Sequence, residues 1–380
     1  MSDSDDDLEG VKRDPAVSRD QFVEWRSPRL GRANPEPMDN PVWVWLIRTG
    51  INAWLATEAY DGPSAMDAGP GWCFDRYGQS STELPDGRVV LIAGEHEDGY
   101  DPDFFIYNDV VVRHPNGGID IYGYPRETFP PTDFHSATLA GDRIILLGSL
   151  GYADQRRPGE TQVMVLDLSS FAIKAVTTKG IPPGWIHNHT AELDEDSGSI
   201  VVRRGLLEVA EGEPLVENID DWRLWLSDWR WERLTERNWK RWLVRRNDGE
   251  GNHLFDYQQE QWEAQVPALA EVNSELAEMM ENLDIPTLEQ AIGGKPDLEL
   301  YANRYTPPLP HAKLPDDEDE FRVYRIEVAG VVVRYVEDMD HVQMTVEGDL
   351  PDDQVQVLLR DLVDKLSRLE NSKCEMKELP

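Results

Sequence analysis

The sequence has only two cysteines and no long apolar run, and these absences exclude several classes of protein. Cys73 and Cys374 lie far apart, so they form neither a disulfide framework nor a paired-cysteine metal motif. No stretch approaches the roughly 18 apolar residues that a membrane-spanning helix needs. The first residues are acidic and polar, unlike the basic and then apolar start of a secretory signal. We therefore expect a cytoplasmic protein with no membrane partner.

Basic residues are scarce relative to acids. The chain has 37 Lys and Arg against 73 Asp and Glu, which gives a formal net charge of −36. Such a charge repels nucleic-acid phosphates and anionic membranes over most of a surface, and it attracts cations. The charge therefore favours a protein partner over nucleic acid, and that partner could be a basic protein.

The composition changes along the 380 residues, which suffice for two or three domains. Residues 1–37 are polar and charged and contain proline, so we expect a disordered acidic arm. Residues 38–258 contain a repeat, and 259–380 have the mixed pattern of an α+β module. Pro41 follows Asn40 as in a helix start, and 42–60 has apolar spacing that favours a helix, although its first residues also alternate as in a strand.

The repeat is the clearest pattern in the chain. Ser81 and Arg88 recur 55 positions later as Ser136 and Arg143, and a third copy begins at His189. Each copy has a strand, a tight Asp/Gly turn and an apolar strand, which is the pattern of a β-hairpin. A second hairpin follows in each copy, marked by apolar pairs seven residues apart: Val112 and Ile119, Leu166 and Ile173, and Leu224 and Trp231.

Two hairpins per copy predict three four-stranded sheets, at about 78–127, 132–180 and 186–236. A single sheet of this kind cannot bury both faces without neighbours, so the sheets are expected to lie side by side. The sequence therefore predicts a mainly β fold with propeller-like sheets.

Several positions in the copies resemble kelch repeats, and within them an uncharacterised bacterial kelch-like group. The apolar strand of each copy ends at or beside a glycine, in Ala93–Gly94, Gly148–Ser149 and Arg204–Gly205. Further along, one copy keeps the acid that follows an apolar residue, in Leu166–Asp167, and one copy keeps the aromatic position, at Trp231. The resemblance covers three units. It implies a kelch-type β-propeller or, because a complete kelch propeller has more blades than three, a partial propeller. It also implies a protein-binding role.

In sheets connected in this order, the loop before the first strand and the loop between the second and third strands lie at the same edge. These loops carry acids and histidines that we predict to form a binding rim: Glu95, His96, Asp98, Asp101, Asp103, Asp133, His135, His187 and His189. Imidazoles and carboxylates together suit a divalent metal or general acid–base chemistry. His187 and His189 are the candidate metal ligands, because alternate residues share one side of a strand. Alternatively, the histidines cap the strands and the acidic loop is only solvated.

Residues 222–246 run against the global charge, with six Trp and eight Arg or Lys against three acids. Within this segment we predict a basic, aromatic binding strip: Arg230, Arg233, Trp239, Arg241 and Trp242. Basic residues interleaved with aromatics can stack bases or grip an acidic protein. Alternatively, the rings fill the space between sheets and the arginines pair with the chain's own carboxylates, and the large excess of acids favours this interpretation.

The C-terminal pattern predicts several further elements. In chain order they are a hairpin of 241–246 with 253–257, a helix over 260–283, strands at 321–328, 331–336 and 341–346, and a helix over 352–369. We recognise no specific function in this module.

Two functions remain open after these observations. The first is an acidic protein-binding module that engages its partner through the rim and needs no cofactor. The second is a metal-dependent enzyme that acts on a small polar substrate at the His/Asp rim. Phosphate-binding glycine loops and the common protease and hydrolase motifs are absent from the sequence. The sequence therefore leaves enzyme activity uncertain and favours binding.

Overall fold

The computed structural model describes residues 13–97, 103–264, 285–315 and 322–379. The chain is mainly β, with several antiparallel sheets, and it forms two compact units. The first unit ends at Glu236 and the second begins at Arg237. We expected this boundary after residue 258. It lies earlier because the strand Lys240–Arg246 pairs on both sides with strands near the C-terminus.

The first residues of the described chain are not the disordered arm that their composition predicts. Helix α1 (Arg19–Trp25) begins with a capping box in which Ser18 and Gln21 bond each other's backbone. Phe22 of this helix is buried and stacks on Tyr60, with ring centroids 4.5 Å apart. A few large apolar side chains are therefore enough to order a segment that is otherwise polar.

Three short helices follow: α2 (Pro41–Thr49), α3 (Ala53–Ala59) and α4 (Ala65–Ala68). The predicted helix start is confirmed, because the Asn40 side chain accepts from the backbone N–H groups of Val42 and Trp43. The predicted single helix over 42–60 is wrong. Gly50 ends α2 with a φ of 70°, and the Asn52 side chain caps α3.

The repeat forms the rest of the first unit. Its strands, together with one strand from the N-terminal segment, are β1 (Glu36–Pro37), β2 (Ser80–Glu83), β3 (Val89–Ile92), β4 (Glu95–His96), β5 (Phe105–Ile106), β6 (Val110–Arg113), β7 (Ile119–Gly123), β8 (Ser136–Ala140), β9 (Arg143–Leu147), β10 (Val163–Asp167), β11 (Ile173–Ala175), β12 (Trp185–His187), β13 (Thr190–Asp194), β14 (Ser199–Arg203), β15 (Leu206–Glu208), β16 (Val216–Glu217), β17 (Trp222–Trp225) and β18 (Arg230–Arg233). Twelve of these strands build three antiparallel four-stranded arrays, β2-β3-β6-β7, β8-β9-β10-β11 and β13-β14-β17-β18, which we call the first, second and third sheets. Strand β1 adds to the first sheet beside β7.

The predicted hairpins are confirmed, with one difference in register. Leu166 pairs with Ile173, and Leu224 pairs with Trp231. In the first sheet, however, Val112 pairs with Asp120 instead of Ile119.

The three sheets lie side by side through their first strands, because β2 contacts β8 and β8 contacts β13. The second sheet is covered on both faces. Ile144 and Leu146 pack in a core with the first sheet, while Ile145 and Leu147 pack in a core with the third. This explains why Arg143 is followed by an unbroken apolar run and not by an alternating pattern.

The second unit has one antiparallel sheet and four helices among its described residues. These elements are β19 (Lys240–Arg246), α5 (His253–Ala264), α6 (Ile285–Ala291), α7 (Leu298–Ala302), β20 (His311–Lys313), β21 (Val323–Val328), β22 (Val331–Glu337), β23 (Val342–Val346), α8 (Asp352–Leu369) and β24 (Cys374–Leu379). The sheet order is β20-β21-β22-β23-β19-β24. Leu358 and Leu362 of α8 lie in a core with Trp242 and Met344.

The C-terminal predictions have mixed outcomes. The three strands predicted from 321 to 346 are confirmed as β21, β22 and β23, and the closing helix is confirmed as α8. The predicted hairpin of 241–246 with 253–257 is wrong, because β19 pairs with β23 and β24 while 253–257 belongs to helix α5. Most of the helix predicted over 260–283 lies outside the described residues.

Candidate functional site

The described residues of the predicted rim lie at one edge of the first unit. We call this edge the loop edge, and define it by the described residues of the segments 77–79, 133–135 and 187–189, which precede each sheet, and 93–109, 148–162 and 204–221, which join second to third strands. The leading segments are bonded in series at 2.9 Å, because Phe134 N donates to Gly78 O and Asn188 N donates to Phe134 O. These two hydrogen bonds therefore bring the three leading segments together.

His135 and His189 each reach back to the first strand of the preceding sheet. His135 Nε2 lies 2.8 Å from Ser80 Oγ of β2, and His189 Nε2 lies 2.8 Å from Ser136 Oγ of β8. Both histidines are buried, and their Nδ1 atoms have no hydrogen-bond partner within the described chain. The same contact therefore joins the first sheet to the second and the second to the third.

The surroundings keep these two imidazoles neutral. Burial lowers the pKa of His135 to about 3 and that of His189 to about 4, and a neighbouring histidine adds to each shift. In the neutral tautomer with its proton on Nε2, that nitrogen donates to the serine hydroxyl and Nδ1 is an acceptor. These rings therefore make structural contacts between adjacent sheets, which differs from the strand caps that the sequence offered as the alternative.

His187 differs from its neighbour two residues later. It ends β12 and is buried, and neither of its ring nitrogens has a hydrogen-bond partner in the parts of the chain described. Burial and the positive charge of Arg156 lower the pKa of His187 to about 4. Asn188, with a φ of 52°, separates β12 from β13, so the prediction that His187 and His189 share one side of a strand is wrong.

Asp133 belongs to a buried network that orders the loop after β9. Its Oδ1 atom accepts from Gly151 N at 2.6 Å and from Ser149 Oγ at 3.3 Å, and burial raises the pKa of its carboxyl. Arg156 donates to Gly151 O at 3.2 Å and to Glu208 at 2.9 Å. These polar groups bond one another, so they hold the loop in shape.

Three further rim residues, Glu95, His96 and Asp103, lie in or beside strands β4 and β5. His96 Nδ1 lies 3.0 Å from Asp75 O, and His96 Nε2 lies 3.1 Å from Asp103 Oδ2. Burial raises the pKa of Glu95, and the nearby Asp133 adds to the shift. Asp98 and Asp101 lie outside the described residues.

The described histidines of the predicted rim share an edge but do not contact one another's partners. Within the described ranges, no group of three or more His, Cys, Asp or Glu side chains could hold a metal ion. The histidines contact different partners: His96 contacts its own hairpin, and His135 and His189 contact serines of two different strands.

The predicted basic, aromatic strip is not one exposed surface. Arg230 and Arg233 lie on β18 of the first unit, and Arg233 pairs with Asp220. Arg241 and Trp242 lie on β19 of the second unit and are buried. Trp239 also belongs to the second unit. The segment crosses the unit boundary, which its composition does not reveal.

Two exposed aromatic side chains on the loop edge were missed by the sequence analysis. Tyr77 precedes β2 and is 64% exposed, and Phe104 precedes β5 and is 43% exposed. Phe104 packs edge-on against Tyr152 of the next loop, with ring centroids 5.7 Å apart. Exposure of single aromatics depends on the packing of loops, so the sequence pattern gave no signal for them.

A cavity of about 300 Å³, which no sequence pattern predicted, also opens at the loop edge. Its walls include side chains from the connection between the first and second sheets, from the loop after β9 and from β12: Arg126, Pro131, Gln155, Arg157, Gln162 and Trp185. The only sequence signal was the presence of arginines in loops of an acidic chain.

Comparisons with known proteins leave the family open. No protein-family model matches the chain, and no curated protein matches it. Among solved structures, the chain is similar to one titled "Structure of YjhT", with 15% identity and a TM-score of 0.32. The match covers 42% of this chain and 55% of that chain, and it is too slight to carry an argument. Separately, no helix among the described residues is long and apolar enough to cross a bilayer.

Proposed function

We propose that the first unit is a partial kelch-type propeller that binds a protein partner through its loop edge. One observation carries the proposal: loops of adjacent sheets meet at one edge and expose two aromatic side chains, Tyr77 and Phe104. Exposed aromatics are the side chains that most often supply the binding energy of protein interfaces.

The charge around these aromatics suggests a basic partner. Glu97, Asp154 and Glu160 are exposed in the same loops, and the whole chain carries a net charge of −36. A surface of this sign accelerates association with a cationic protein and repels nucleic acid. Aromatic anchors would supply affinity, and the acids would supply orientation.

The metal-dependent alternative receives less support from the geometry of the histidines. His135 and His189 make the junction contacts, so using either as a ligand through Nε2 would break a contact between sheets.

We also propose a cytoplasmic location. The chain has only two cysteines, Cys73 and Cys374, and a low cysteine content suits a reducing compartment.

The proposal can be tested by affinity capture from an extract of the native host, followed by crosslinking and mass spectrometry. A specific partner should be retained at about 0.1 M salt and weakened at about 1 M, because the Debye length falls from about 10 Å to about 3 Å. The double variant Tyr77→Ala, Phe104→Ala should weaken binding of that partner by at least about tenfold.

Met66→Ala is the matched control, because Met66 is 76% exposed but lies in α4, outside the loop edge. The control should bind as the unaltered chain does. Binding that survives the double variant, or is lost equally in the control, would show that the loop edge is not the interface.

A further inference from the structure

The loop-edge cavity of about 300 Å³ has a positive lining in a strongly acidic protein. Arg126 comes from the connection between the first and second sheets, and Arg157 comes from the loop after β9. All of its walls belong to the first unit. A volume of this size lies at the lower end of the range for small-molecule sites.

The two arginines of the cavity lack the counter-charges that other arginines of these sheets have. Neither Arg126 nor Arg157 has a carboxylate within ion-pair distance among the described residues. By contrast, Arg156, Arg223 and Arg233 each pair with an acid. Because the chain has almost twice as many acids as bases, two uncompensated guanidinium groups at one cavity leave a place for an anion.

The arginines are held in place without being neutralised. Arg157 Nη1 donates to the backbone oxygens of Asp154 at 3.0 Å and Arg156 at 2.7 Å. The guanidinium of Arg126 lies 5.9 Å from the centroid of the Tyr152 ring. These contacts use part of each guanidinium, and the remaining N–H donors can hold the two oxygens of a carboxylate in parallel.

The rest of the cavity wall is suited to a flat, partly apolar group. Trp185 is buried, and its Nε1 donates to Leu150 O at 3.0 Å, which fixes the plane of the indole. Pro131 adds a rigid apolar wall, while Gln155 and Gln162 provide amides. An indole held in one orientation is a good surface for stacking a planar ring.

We propose that this cavity binds a small cyclic molecule carrying a carboxylate, with the ring against Trp185 and the carboxylate held by Arg126 and Arg157. The proposal goes beyond the binding of a protein partner and does not depend on it. The two proposals can fail independently, because the cavity proposal involves neither Tyr77 nor Phe104, the exposed aromatics of the proposed protein interface.

The test uses the full chain and three probes: benzoate, its neutral analogue benzamide, and inorganic phosphate. Two-dimensional NMR of the indole N–H groups follows binding, and the Trp185 signal is identified by its loss in Trp185→Phe. Benzoate should shift this signal in a saturable way, with a dissociation constant tighter than about 10 mM. Benzamide should bind at least about tenfold more weakly, because it lacks the charge.

Arg126→Gln and Arg157→Gln should each weaken benzoate binding by at least about tenfold. Both residues are exposed, so the variants should fold, and unchanged shifts of the other indoles verify this. Arg113→Gln removes the same charge from an exposed site at the β6–β7 turn, away from the loop edge, and should leave binding unchanged.

Three results would overturn the proposal. The first is the absence of a saturable benzoate shift at Trp185, and the second is equal binding of benzoate and benzamide. The third is tighter binding of phosphate than of benzoate, which would assign the cavity to phosphate ligands instead of carboxylates.

Discussion

Removing one hydroxyl group at a junction between sheets should destabilise the first unit measurably. In Ser136→Ala, His189 Nε2 loses its hydrogen bond of 2.8 Å. Its Nδ1 atom has no partner within the described chain, so the buried ring would then have none there. Leaving a buried polar group unpaired costs about 1–3 kcal/mol, more than the net value of the bond itself. The free energy of unfolding should fall by this amount.

Urea denaturation followed by tryptophan fluorescence suits this measurement. Ten of the 13 tryptophans lie at or before Trp231, in the first unit, so the signal reports mainly on that unit. Ser80→Ala breaks the equivalent bond to His135 and should cost a similar amount. Ser81→Ala is the matched control, because Ser81 is the next residue of β2 and is exposed. Its effect should stay within about 0.5 kcal/mol.

The reasoning would be refuted if Ser136→Ala and Ser81→Ala were equally stable. That result would mean that the histidine contacts do not hold the sheets together. A double-mutant cycle of Ser136→Ala with His189→Ala separates the hydrogen bond from loss of the imidazole volume. A coupling energy near zero would lead to the same conclusion as equal stabilities.

Two further predictions concern the same junctions. The folded-state pKa of His135 is lowered to about 3, whereas an unfolded histidine has a pKa of about 6.5. As the pH drops below about 6.5, the unfolded chain therefore binds a proton that the folded chain does not, and the free energy of unfolding falls. Between pH 7 and 5, unaltered chain should lose about 2 kcal/mol more than His135→Gln, and parallel pH profiles in urea denaturation would contradict this. Gly148→Ala should be far more destabilising than Gly141→Ala, because a Cβ at Gly148 would meet Ile186 O at 2.2 Å, whereas at Gly141 it would meet nothing within 4 Å. Both glycines have φ near 70°, so the backbone strain of an alanine is the same at both positions and cancels in the comparison. Equal melting temperatures would contradict the prediction, because they would mean that the structure around Gly148 shifts to make room for the Cβ.

The hairpins of the repeat could be predicted because their signals are local. A tight turn with Asp and Gly between two apolar strands specifies a hairpin without knowledge of the rest of the chain. The pairing of Leu139 with Ile144, across Gly141 and Asp142, is an example. The same reasoning recovers α8, whose apolar residues repeat on one helical face.

The errors occurred where distant contacts decide the structure. The segment from residue 13 to 37 has the composition of a disordered arm, but Phe22 stacks on Tyr60 and strand β1 pairs with β7. Strand β19 pairs with β23 and β24, about a hundred or more positions away, and not with the residues that follow it. Sequence pattern identifies a strand more readily than its partner, because pairing depends on the whole sheet.

The histidines show why a repeated residue is weak support for a functional site. The sequence contains Ser80 and His135 at one spacing and Ser136 and His189 at nearly the same spacing, which is the period of the repeat. Two residues separated by one period belong to adjacent sheets, so a contact between them recurs at each junction. A contact that recurs with the period stabilises the array. The features that break the repeat, such as Arg126 and Arg157 at a single cavity, are therefore better candidates for function.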